Sequence, residues 1–272
     1  MRLSLGITPK SYFNLAATDA DAQAYFNVNT AITSDADKNA INTFYLGLKS
    51  DNIYTKLKAM YLPIWGSAAT CKWNLINPLD TDAAYRLIFS TGWTYASNGI
   101  TPTLAYANTF LNPSVQLSLT SNHISSYIQT SRALASSTPI GARVTGTISA
   151  INIFPRTTGD VFRHFNNING YIDIPSIETK GFFIGARNGG TTYYNAKNGV
   201  TNVGSTAATN SVNQNFWIGA TASGAPGSPS ALYNETARTS FYSIGDGLST
   251  TDITNFNSRV NTLMTYFGIN VY

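Results

Sequence analysis

The spacing of apolar residues changes character twice along this chain of 272 residues. Between Ser34 and Ser50, Ala40, Ile41, Phe44, Tyr45 and Leu48 recur three and four positions apart, which marks one face of a helix. Ser34 stands where an N-cap belongs. Asp35 and Asp37 fall in the first turn, where the helix dipole favours negative charge. Beyond Pro63 the helical spacing disappears, and short apolar runs alternate with clusters of turn-forming residues. Strands are predicted near 72–76, 85–89, 104–106, 115–119, 124–130, 144–154, 161–165, 170–174, 181–187, 191–195, 200–203, 215–220 and 239–244. Asn198-Gly199 is a strong hairpin signal, because a type I′ turn needs positive φ at both central residues. The pattern reverts at the end. Ile253, Phe256, Val260, Leu263, Met264 and Phe267 form an apolar helical face, with Ser249 and Asp252 as cap and partner and Gly268 placed to end it. One amphipathic helix does not persist alone in water, so this one must cover something already built.

Two stretches lack a clear period. Residues 1–33 read as an N-terminal arm, a candidate attachment segment. Residues 53–62 (IYTKLKAMYL) show no strict alternation and allow a further helical turn before Pro63. The division is therefore an arm at 1–33, a helical segment at 34–62, and a β-sandwich at 63–272 closed by a helix over 250–267. Residues 222–230 (ASGAPGSPS) read as an exposed loop.

Composition narrows the chemistry. Only 11% of residues are charged, and the net charge is +4. The basic residues are scattered rather than gathered on one element, which argues against a nucleic-acid partner. No apolar run is long enough for membrane insertion, and Met1–Ile7 is too short for a signal peptide. The single cysteine, Cys71, excludes an intrachain disulfide and is expected to be a buried thiol. The chain holds two glutamates, Glu178 and Glu235; its clustered aspartates are Asp19/Asp21, Asp35/Asp37 and Asp80/Asp82. A glycosidase needs two carboxylates across the scissile bond, and Asp80 and Asp82 lie in a turn context. His123 and His164 form no metal motif. Asn166-Asn167 offers oxygen ligands without the carboxylates that calcium sites use. No catalytic residue, metal ligand or cofactor is therefore expected. Trp73, Trp93 and Trp217 are expected in the core, and Tyr95, Tyr193 and Tyr194 stand nearer loop ends. No ligand site is assigned.

The segment GFFIGARNGGTTYYNAKNGVTNVGS at 181–205 resembles the paired strands of laminin-G and concanavalin A-like lectin/glucanase domains. NQNFWIGA at 213–220 is similar to their next strand, and FYSIGDGLSTTDI at 241–253 to their closing strand, turn and helix. IYTKLKAMYLPIWG at 53–66, KWNLINPLDTDAAYRLIFSTGWTYASNGITP at 72–102 and YANTFLNPSVQLSLTSNHISSYIQTS at 106–131 resemble bacteriophage virion proteins carrying such a domain. The resemblance covers about residues 35–272. It implies a concanavalin A-like, jelly-roll sandwich in a non-enzymatic structural protein of a phage particle. A head fibre, a capsid decoration and a tail-fibre-like appendage all fit. The implied partners are other virion proteins and copies of itself, and the implied location is the virion. The alternative is a carbohydrate-binding adhesin for a host-surface glycan. A glycan-degrading enzyme fits less well, because the acidic motif of the glucanases has no counterpart here.

Overall fold

A computed structural model describes residues 17–132, 136–144, 149–167, 171, 173–225 and 228–272. Two helices come first, α1 (Ala20–Val28) and α2 (Asp35–Ser50). The strands are β1 (Leu57–Tyr61), β2 (Ile88–Phe89), β3 (Trp93–Ala96), β4 (Gly99–Pro102), β5 (Ala107–Asn108), β6 (Ser121–Ile128), β7 (Ile140–Arg143), β8 (Ala150–Phe154) and β9 (Val161–Asn166). There follow β10 (Asp173–Pro175), β11 (Gly181–Asn188), β12 (Thr192–Lys197), β13 (Val200–Ser205), β14 (Trp217–Ile218), β15 (Thr221–Ala225), β16 (Ser228–Leu232) and β17 (Thr239–Gly245). Single helical turns, α3 (Ala68–Cys71) and α4 (Pro113–Gln116), interrupt the series, and α5 (Thr250–Tyr266) closes it.

The strands form two sheets. The first runs β13-β12-β11-β6-β17-β4-β3, with β1 also paired to β17. The second runs β10-β9-β8-β7-β14-β5-β2, and the β15–β16 hairpin joins it through β15 on β7. Apart from that parallel contact, the ladders are antiparallel. The fold is a mainly β, jelly-roll-type sandwich with a C-terminal helix.

The central strands of the first sheet are buried on both faces. On β11, Phe183 points into the space between the sheets with Ile124, Ile153, Phe162, Tyr242 and Ile244. Its neighbours Phe182, Ile184 and Ala186 point the other way, onto Phe44, Leu48, Ile253, Phe256 and Val260 of α2 and α5. This explains why β6, β11 and β17 are almost wholly buried along their length, whereas an open-faced strand alternates. The layers are thus helices, first sheet, second sheet. Among the described residues, no helix lies over the outer face of the second sheet.

Several expected elements are realised. α2 starts at its Ser34 cap. Asn198 and Gly199 both have positive φ, at 51° and 82°. At α5, the Ser249 and Asp252 side chains each accept from the other's backbone N–H, and Gly268 follows the helix at φ 68°. Other expectations are corrected. Residues 57–61 are not helical but form β1, because Ala59 and Tyr61 fill the sandwich interior while Leu57 and Met60 meet the helices. That two-sided burial removed the alternation a strand normally shows. Residues 20–28 of the expected arm are helical, with Ala22, Tyr25 and Phe26 buried under an Asp19 cap; residues 1–16 lie outside the described residues. Of the expected loop at 222–230, residues 222–225 belong to β15 and 228–230 to β16, while 226–227 lie outside the described residues. Pro229 is tolerated there because, among the described residues, β16 pairs with β15 alone and so lies at the sheet's edge. Residues 113–116 form a helical turn, since the Asn112 side chain accepts from the Ser114 N–H and Pro113 sits at the first position. Residues 72–76 are not a strand. There the Asn74 side chain bonds Met60 N–H and the Lys58 and Ala84 carbonyls, tying down irregular backbone.

Candidate ligand-binding groove

The outer face of the second sheet carries a groove of about 490 Å³. β9 sets its orientation. Phe162, His164 and Asn166 are buried inward, so Val161, Arg163 and Phe165 point outward and stay half-buried. On β8, Ile151 and Ile153 belong to the interior, which turns Ala150, Asn152 and Phe154 outward. Arg143 on β7 and Asp173 on β10 extend the same surface sideways. Ser136, Thr157, Thr158, Gly159 and Tyr233 rise from loops to make the walls.

Aromatic rings form the groove's backbone. Tyr233 meets Phe154 edge-to-face at 5.1 Å, Phe154 meets Phe165 at 5.9 Å, and Phe165 meets Tyr171 at 5.8 Å. Tyr171 is 49% exposed, and the Arg163 guanidinium lies 3.5 Å from its ring centroid. Arg163 also makes a bidentate pair with Asp173, at 2.9 and 2.7 Å, which holds the guanidinium above its ordinary pKa range. At the other end Arg143 donates to the Tyr233 hydroxyl at 3.5 Å. Between the ends lies Asn152. It is 2% exposed, and its Oδ1 has no hydrogen-bond partner among the described residues. An orphaned buried acceptor costs about 1–3 kcal/mol, which a ligand donor would recover. Gly141 lets Asn152 sit there, since a Cβ on Gly141 would lie 2.5 Å from the Asn152 Cβ.

The residues singled out in the sequence lie elsewhere. Tyr95 packs edge-to-face on Phe89 against the interior. Tyr193 is buried beside Arg187, and Tyr194 packs under the helical layer. Trp217 is buried and stacked on Tyr106 at 3.8 Å; Trp93 meets Phe89, and Lys72 lies over Trp73. Asp80 is held by Lys72 and Arg86, which lower its pKa, and Asp82 also pairs with Arg86. Asp19 and Asp21 share Lys49, and Asp35 and Asp37 begin α2. Glu235 is buried against Arg132 and accepts from the Thr236 and Ala237 amides. Glu178 meets Ser131 and pairs with Lys180.

Both histidines are fully buried, and burial lowers them to a pKa of about 4 for His123 and about 3 for His164. His123 contacts the Asp246 carbonyl and the Ser243 hydroxyl. Asn166 bonds Asn122 and Arg187, which occupies its side-chain oxygen. Among the described residues, no group of three or more His, Cys, Asp or Glu is arranged to hold a metal ion. Cys71 is buried, which raises its thiol pKa. The only signal of the groove in the sequence was the alternation of β9.

No protein-family model and no curated protein sequence matches the chain. Solved structures do resemble it in fold. A sialidase of Trypanosoma rangeli aligns with TM-score 0.50 at 9% identity, over 83% of this chain and 40% of the sialidase chain. Domain 4 of AbnA, a GH43 extracellular arabinanase of Geobacillus stearothermophilus solved with arabinotriose, aligns with TM-score 0.47 at 12% identity. That alignment covers 74% of this chain and 98% of the domain. The binding domain of botulinum neurotoxin serotype D gives TM-score 0.49 at 12% identity, over 76% of this chain and 52% of that one. Likeness at these identities speaks to fold alone.

Proposed function

We propose that this chain is a non-enzymatic, lectin-like carbohydrate-binding module. The observation that carries the reading is the groove on the bare sheet face, where an aromatic run lies beside convergent polar groups. A sugar ring offers apolar C–H faces with hydroxyls at its edge. The rings of Tyr233, Phe154 and Phe165 suit the faces, and Asn152, Arg143 and Asp173 suit the hydroxyls. The chemistry of the groove supports binding over hydrolysis. Asp173 is the sole carboxylate among its lining residues and is engaged by Arg163, whereas glycoside hydrolysis uses a pair.

A glycan array tests this. The wild-type chain should retain a defined set of glycans, and Phe165→Ala and Tyr233→Ala should each weaken retention about tenfold, near 1.4 kcal/mol. Absence of retention, or retention indifferent to both substitutions, would sink the reading.

The sequence resemblance over residues 35–272 favours a particular setting for such a module: a structural component of a phage particle, as head fibre, capsid decoration or tail appendage. Homo-oligomeric display would add avidity. Quantitative mass spectrometry of purified particles tests it. Tens to hundreds of copies point to the head, about six to a few dozen to the tail, and absence removes the virion setting.

A further inference from the structure

The groove's charges are not symmetric. Its charged lining residues are Arg143, Arg163 and Asp173. Arg163 and Asp173 satisfy each other in a bidentate pair. Arg143 forms no ion pair among the described residues; its partner at the groove is the neutral Tyr233 hydroxyl. The nearby acidic residues are engaged elsewhere, Asp160 by Arg156 and Glu235 by Arg132. One end of the groove is therefore cationic, and the other is a neutralised pair. Between them lies the unpartnered oxygen of Asn152.

We propose that the ligand is an acidic saccharide whose anionic substituent sits on Arg143. This rests on the carbohydrate-binding reading of the same groove. A guanidinium presents two parallel N–H donors that match a carboxylate or phosphate edge, and charge-assisted bonds are about twice as strong as neutral ones. The Tyr233 hydroxyl, already aligned with Arg143, adds a third donor to the anion. Asp173 sets the direction: an anion at that end would face a carboxylate, so that end takes hydroxyls, whose protons the Asp173 oxygens accept. Asn152 Oδ1 accepts from a hydroxyl or acetamido N–H between the two ends. The rings of Phe154 and Phe165 carry the sugar plane.

The test is an array carrying neutral glycans beside matched carboxylated and phosphorylated counterparts, followed by titration of the best acidic glycan. The acidic member of a pair should bind at least about 10-fold more tightly than the neutral one. Arg143→Gln should bring the ratio of acidic to neutral affinity down to about one, whatever it does to neutral binding, and Arg143→Lys should restore part of that ratio. Raising salt from 50 to 500 mM should weaken acidic binding and spare neutral binding. The array's two acidic arms identify which anion is read. Preference for neutral members, or an acidic preference that survives Arg143→Gln in a variant with wild-type thermal stability, overturns this inference and leaves the module reading intact. No retention of any glycan removes both.

Discussion

Gly185 and His164 share one space between the two sheets. A Cβ on Gly185 would lie 2.4 Å from the imidazole ring, and His164 is fully buried with no room to retreat. Gly185→Ala is expected to destabilise the fold by about 1–3 kcal/mol in urea denaturation. The same ring makes stability depend on pH. His164 and His123 have folded pKa values of about 3 and about 4, below the ordinary 6.5, because burial penalises their charged forms. Arg187 beside His164 adds to its lowering; for His123, Lys56 acts in the same sense and Asp246 and Asp252 oppose it. Between pH 6.5 and the folded values, the unfolded chain binds more protons than the folded one. Stability is therefore full above pH 6.5 and falls as pH drops toward 4, by up to about 1.4 kcal/mol per pH unit for each ring. The lowered carboxyl groups of Asp19, Asp80 and Asp252 add to the loss at still lower pH. Urea midpoints from pH 7.5 to 4.5 should show this slope, and His164→Gln should flatten it. An unchanged slope in that variant would assign the dependence to other groups.

At the scale of elements, α5 was the most legible part of the chain, because helix, cap and stop all obey local rules. Its function is to cover the first sheet: Ile253, Phe256, Val260 and Met264 are each fully buried. Phe256 alone meets Phe182 and Phe241 edge-to-face at 5.5 and 5.9 Å. Phe256→Ala is expected to cost about 3–5 kcal/mol. Ser249→Ala should cost about 1 kcal/mol, because it removes the acceptor for the Asp252 amide. Thermal or urea unfolding separates the two, and equal losses would contradict a core role for Phe256. The strands were legible where one face alternates, as in β9, or where a turn announces itself, as at Asn198-Gly199. They were not legible where tertiary burial overrides the pattern. β1 looked helical because both its faces are buried. Strands β15 and β16 looked like loop because Gly224 and Pro229 interrupt their pattern; Pro229 is permitted because it lies on β16 at the sheet's edge.

The groove was illegible for a different reason, which belongs to the whole molecule. Its residues come from Ser136 to Tyr233 and meet only because β7, β8, β9 and β10 lie side by side with their outward residues in register. Nothing in the spacing of Arg143, Asn152, Arg163 and Asp173 announces a shared surface, and the more conspicuous tyrosines and tryptophans went to packing. The layer order then gives the molecule two unlike sides. Helices α2 and α5 cover the central strands of the first sheet, while the outer face of the second sheet has no helix over it among the described residues and carries the groove. This asymmetry can be probed without knowing the ligand's fine structure. Cys71 is buried with a raised thiol pKa, so a bulky maleimide will react with an introduced surface cysteine in its place. Thr158 is exposed on the groove wall, and Thr254 is exposed on α5. A polymer attached at Thr158→Cys should abolish glycan retention by filling the mouth of the groove. The same polymer at Thr254→Cys should leave retention within about twofold of the unlabelled variant, because the two sheets separate that site from the groove. The reverse result would move the binding face to the helical side and assign the aromatic groove to packing alone.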